Sequence, residues 1–215
     1  MDIKDMADKP NRKTSLEVNR IMERISSEKE DFFHYSTEDL TKDDFYLIGR
    51  VVQQYCFVDL NARRLIDLLR HAALGPESRN GAGLQDGQVL PQLIAAASKL
   101  PTSNLQEGII RAARSMENYR DHRHHFAHWA ARRIVGHNLW IMLNSNSKEI
   151  KRRIGIEGNV GELTYGIIHV EYIIEDEKII EGHSNYLAQA VHHVAAHFDR
   201  IQHDFSKSKK RREKS

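Results

Sequence analysis

Only one cysteine, Cys56, occurs in the whole chain. That excludes an intrachain disulfide framework and any thiolate zinc cluster within one chain, and it fits a reducing cytosol. Long apolar runs are also lacking: none approaches the ~20 residues of a membrane span. The opening MDIKDMADKPNRKTS is charged where a secretory signal needs an apolar core. We therefore expect no membrane association and a cytoplasmic location. Nor is there an excess of charge of one sign, since Lys and Arg number 32 against 30 for Asp and Glu. No overall basic field draws in nucleic acid, so any polyanion site is local. Internal repeats and long low-complexity tracts are absent as well. The 215 residues are enough for one main domain with a proper core.

The pattern along the chain is mostly helical. Residues 1–13 read as disordered, and 14–30 as a polar helix with a thin apolar stripe of Leu16, Val18, Ile21, Met22 and Ile25, an appendage rather than core. A long helix opens at the capping pattern Thr41-Lys-Asp-Asp44, carries Ile48, Val52, Tyr55, Ala62, Ile66 and Leu69 on its apolar face, and stops at Gly75-Pro76. The polar, Gly-rich GPESRNGAGLQDGQ is a candidate hinge, and LPQLIAAASKL a short helix. A second long helix begins at the Ser103 cap and is expected to reach Val135, with Gly136 as its stop. NLWIMLNS, KRRIGIE and LTYGIIHVEYII then read as two or three antiparallel strands. A final helix places Leu187, Val191, Val194, Phe198, Ile201 and Phe205 on one seam.

The most unusual stretch is YRDHRHHFAHWAARR, residues 119–133, with four histidines and four arginines on the second long helix. At about 100° per residue, Arg123 falls in the same arc as Ala112, Met116, Tyr119 and Phe126. A charge on an apolar face needs a partner. Asp59 projects within the apolar arc of the first long helix, which makes it the expected partner. His124 and His128 share a stripe with Glu117 and Arg120. In an ideal helix His128 lies about 140° from Arg123. That offset suits a symmetric dimer in which this helix lines the two-fold axis.

The order Arg123-His124-His125-Phe126-Ala127-His128 resembles the motif of the HEPN superfamily (higher eukaryotes and prokaryotes nucleotide-binding): Arg, a polar residue, a short spacer often ending in Ala, then His. Arg123, His124 and His128 fall on the motif positions, and the resemblance covers roughly residues 40–205. It implies a mainly α fold, with a four-helix-bundle-like core and, in this chain, a small antiparallel β element between the motif helix and the last helix. The corresponding organisation is a polar N-terminal extension (1–40), a HEPN-like helical domain (41–205) with a β insertion near 137–180, and a basic disordered tail (206–215). Many members are metal-independent RNases that act as toxins or in phage defence, working as homodimers under an antitoxin or other regulatory partner, and others are non-catalytic. The strands are an elaboration that many compact members lack, so substrate preference carries over least.

The residue types suit that chemistry. Imidazole, with a pKa near ~6.5, transfers protons at neutral pH, and guanidinium offers a charged fork to phosphate oxygens. The expectation is His128 in acid/base catalysis, Arg123 on the phosphate, His124 in orientation or a second proton transfer, Asp59 and Arg120 in support, RNA as substrate, and no cofactor. Two alternatives stay open. One is a non-catalytic helical dimerisation or nucleotide- or RNA-binding module. The other is a zinc site built from the i,i+4 pairs His124/His128 and His193/His197.

Overall fold

The computed structural model describes residues 16–144 and 164–212. The protein is mainly helical, with a helical-bundle core and a small antiparallel sheet. The described residues divide into two compact units, one built from 53–120 and 178–212, the other from 16–52, 121–144 and 164–177. Among the described residues the elements run α1 (Leu16–Glu28), α2 (Glu30–Tyr35), β1 (Thr37–Glu38), α3 (Lys42–Leu74), α4 (Asp86–Ala97), α5 (Asn104–Glu117), α6 (Arg120–His128), β2 (Ala130–Ile134), β3 (Leu139–Asn144), β4 (Thr164–His169), α7 (Val170–Ala196) and α8 (Phe198–Arg212).

In the second unit the sheet order is β1-β2-β3-β4, every pair antiparallel. Leu139 and Ile141, two apart on β3, meet Val18, Ile21 and Ile25 of α1 and Phe32 of α2 in one core cluster. The stripe on α1 is therefore core, where the sequence suggested an appendage; Leu16 and Met22 are its exposed residues. The N-terminal segment also supplies an edge strand, Thr37 pairing with Ile134. The alternate face of β3 is covered too, and Trp140 is fully buried. The disorder expected for 1–13 and the strand expected at KRRIGIE lie outside the described residues.

Three boundaries depart from the sequence reading, and at the first of them tertiary pairing outweighs local propensity. The motif helix does not reach Val135: it breaks at Asn118–Tyr119, restarts at Arg120, and ends at His128. Residues 130–134 pair with β3 instead, burying Ile134, and Gly136 (φ 76°) turns the β2–β3 hairpin. On the far side of the sheet, strand gives way to helix at Val170, so VEYII opens α7. The β element thus comprises 130–144 and 164–169, together with β1. The last difference is at the C-terminus, where residues 206–212, expected in a disordered tail, continue α8.

The bundle unit is formed by α3 from Gln53, α4, α5, α7 from Lys178, and α8. Val51, Tyr55, Val58, Ala62, Leu65, Leu69 and Ala72 make a buried seam along α3 at steps of four and three. Of the residues expected, Tyr55, Ala62, Ile66 and Leu69 are buried, whereas Ile48 and Val52 are only half-buried, and at this end the seam passes through Val51 instead. Asp59 consequently sits beside the apolar stripe rather than on it.

The segment after α3 is anchored, contrary to the hinge suggested by its glycines. Arg63 donates from Nη1 to the carbonyls of Gly81 (2.9 Å) and Leu84 (2.7 Å), while the Gly81 amide donates to Asp67 Oδ1 at 2.7 Å. The loop lies so close to α3 that a Cβ on Gly81 would stand 2.6 Å from the Arg63 carbonyl oxygen, whereas one on Gly83 would meet nothing within 4 Å. Gly81→Ala is expected to cost about 1–3 kcal/mol by overpacking against backbone. Gly83→Ala, the matched control, should melt close to wild type, and urea titration of the two variants checks the contrast.

Candidate functional site

The interruption at Asn118–Tyr119 resets the phase of the motif. Had α5 and α6 been one helix, Arg123 would have continued the stripe of Ala112 and Met116. In the structure α5 ends by burying Met116 and Tyr119, and α6 starts a new rotation in which no residue is fully buried. The inner side of α6 is set by His122 and Phe126. His122 Nδ1 lies 3.2 Å from Oδ2 of the fully buried Asp176 on α7. The Phe126 ring meets Trp140 edge-on, centroids 6.0 Å apart. On the helical rotation His124, Ala127 and His128 occupy the opposite arc, and Arg123 lies on the flank, about 60° from Phe126. His128 is exposed, Arg123 and His124 are half-buried, and the rings of His124 and His128 are 4.5 Å apart.

The structure therefore keeps Arg123, His124 and His128 on one nine-residue helix, with the two histidine rings together and Arg123 to their side. The supporting residues go elsewhere. Asp59, expected to hold Arg123, accepts at Oδ2 from Arg63 Nε at 2.7 Å, one turn along α3. It thereby steadies the guanidinium that ties down the loop. Arg120 pairs with Glu117 at 3.2 Å across the helix break, and its Nη1 packs so near α4 that a Cβ on Gly87 would come within 3.1 Å. Arg132 and Arg133 are strand residues: Arg132 lies 3.5 Å from Asp39, and Arg133 binds Asp44.

Several polar groups escaped the sequence reading. Asp44 was read only as a helix cap. Its carboxylate does accept from the Thr41 amide and hydroxyl, both at 2.7 Å. It also accepts from Arg133 Nη1 (2.7 and 2.9 Å) and Trp140 Nε1 (3.2 Å). Burial acts to raise its carboxyl, but the bonds from Arg133 and Thr41 outweigh that and hold it below the ordinary value of 3.8. Asp176 and Glu177 lay in the region near 137–180 read as a β insertion, just past the strand LTYGIIHVEYII. Read as a helix, VEYIIEDEKII places Ile173, Asp176, Glu177 and Ile180 on one stripe, all buried. Two carboxylates on an apolar seam are the signal that was available. Glu177 is met by Arg50 at 2.6 Å and Asp176 by His122.

Among the described residues no group of three or more His, Cys, Asp and Glu is placed to hold a metal ion. The pairs His124/His128 and His193/His197 each bring two rings together, at 4.5 and 4.4 Å. No helix among the described residues is long and apolar enough to cross a membrane. No family model, curated protein or solved structure matches the chain.

Proposed function

We propose that the protein is a metal-independent endoribonuclease of HEPN type, a toxin or phage-defence effector that works as a homodimer under an antitoxin or other regulatory partner. The observation that supports this reading is the division of α6. His122–Asp176 and Phe126–Trp140 hold one side of the helix, the opposite arc carries His124 and His128 with their rings 4.5 Å apart, and Arg123 flanks them. A short helix held in this way keeps its charged arc in fixed orientation, which is what transition-state stabilisation requires.

The reaction uses groups this arc carries. An imidazole takes the proton of a ribose 2′-hydroxyl, and the resulting oxygen attacks the adjacent phosphorus. Arg123 stabilises the added negative charge of the phosphorane-like state. A second imidazole protonates the departing 5′-oxygen. His128 is assigned the acid/base role, and His124 orients it or supplies the second transfer. The offset of about 140° between Arg123 and His128 on the helix is complemented when a second copy brings its own motif helix to the same phosphate.

Cleavage is expected to persist in excess EDTA and to leave 2′,3′-cyclic phosphate and 5′-hydroxyl ends, read by end-labelling before and after phosphatase treatment. Loss of cleavage on chelation, restored by zinc, would transfer the activity to a metal-dependent site and end this proposal.

A further inference from the structure

Away from α6, the bundle unit holds a cavity of about 330 Å³ between the start of α5 and the α7–α8 junction. Its chemistry is two-sided. Leu100 and Ile201, both buried, form part of an apolar floor together with Leu105. His193, His197 and Arg200 line the other side. Arg200 has no carboxylate within ion-pair distance among the described residues, although Asp204, one turn away, lines the same cavity. Such a guanidinium beside an apolar floor is placed to receive an anion from outside.

The histidine pair adds direction. The His197 Nδ1 atom lies 3.0 Å from the backbone carbonyl oxygen of His193. A carbonyl only accepts, so Nδ1 carries the proton. In the neutral ring Nε2 is then an acceptor, and on protonation it becomes a second donor. The two rings stack, centroids 4.4 Å apart and 21° from parallel, and so make a flat surface. The wall opposite is fixed, because Gln106 Nε2 holds the Leu100 carbonyl at 3.0 Å and Ser103 caps α5 through the Gln106 amide. That cap directs the positive end of α5 toward the cavity.

We infer that this cavity binds a small phosphomonoester carrying an apolar or aromatic body, the phosphate on Arg200 and the His197 side and the body on the floor of Leu100, Leu105 and Ile201. The volume falls at the small end of the range for small-molecule sites, roughly 300–1,000 Å³. Asp204, at the same rim, can accept a hydrogen bond from a ligand hydroxyl.

The test uses the full chain and does not depend on RNA cleavage. Phenyl phosphate, inorganic phosphate and phenol are titrated in turn, with binding followed by calorimetry and the imidazole resonances by NMR. Phenyl phosphate is expected to bind more tightly than either fragment and to move the His193 and His197 signals. Arg200→Ala should weaken it about tenfold or more, the worth of one charge-assisted contact, with an unchanged melting curve; Arg200→Lys should recover part of the loss. Equal binding by wild type and Arg200→Ala, equal binding of phenol and phenyl phosphate, or no binding of phenyl phosphate would each overturn the inference.

Discussion

Replacing Asp44 by alanine is expected to lower stability by about 3–5 kcal/mol, the cost of breaking a buried pair from one side. The carboxylate is 3 % exposed. It accepts from Thr41, Arg133 and Trp140, groups that belong to the start of α3, to β2 and to β3. Its removal leaves an indole N–H with nothing to meet and Arg133 with only Glu38, 3.9 Å from its Nε, and it uncaps a long helix. On the scale of roughly 2–4 °C per kcal/mol for a chain of this size, the melting temperature should fall by on the order of 10 °C. The pH dependence follows from the direction of the shift. A carboxyl held below 3.8 in the folded state binds protons less readily than in the unfolded chain. Its stabilisation is full above that ordinary value and is lost as the pH falls through the lower folded value. Wild type should therefore lose more stability than Asp44→Ala on acidification below about pH 4, and urea unfolding at a series of pH values measures the difference. An alanine variant within 1 kcal/mol of wild type would show that Arg133 and Trp140 find other partners.

The second large effect concerns cleavage. Arg123→Ala and His128→Ala should each reduce the rate by on the order of 10²-fold or more, with little change in melting temperature, because neither side chain is fully buried. His124→Ala should cost less if it orients its neighbour. Asp59→Ala is expected to behave in the opposite sense. Its carboxylate engages Arg63, so the variant should loosen the loop at Gly81 and lower the melting temperature while leaving cleavage near wild type. Single-turnover rates and thermal melts on the same four preparations separate the two patterns.

What could be read from the sequence was what short-range chemistry decides. Thr41 and Asp44 cap α3 as their spacing implied, Ser103 caps α5, and Gly75 (φ 97°) ends α3. Of the seam Leu187, Val191, Val194, Phe198, Ile201 and Phe205, all but the half-buried Phe198 are buried, although the one helix expected is divided at His197 into α7 and α8. The errors arose where distant chain intervenes. Ala130–Ile134 has good helix formers, yet β3 offers it a ladder partner. The β-branched run at 167–180 favours strand locally, yet from Val170 its buried positions recur at helical spacing. On α3 the expected Tyr55, Ala62, Ile66 and Leu69 are buried, but the start of the seam was misplaced, because Ile48 and Val52 are as apolar as Val51 and Val58 and only packing selects between neighbouring stripes. At the candidate site the motif residues and their order were legible. The anchors were not, since His122 has no sequence neighbour that announces Asp176, and the break at Asn118–Tyr119 that turns Arg123 away from the apolar stripe contains neither Gly nor Pro.

The most direct test of the central claim is RNA cleavage in excess EDTA by wild type and by an Arg123→Ala/His128→Ala double variant of matched melting temperature. The account predicts that wild type cuts and the double variant does not. Equal cutting by both, or no cutting by either, would contradict it and leave α6 as a helix whose arginine and histidines serve structure or association alone.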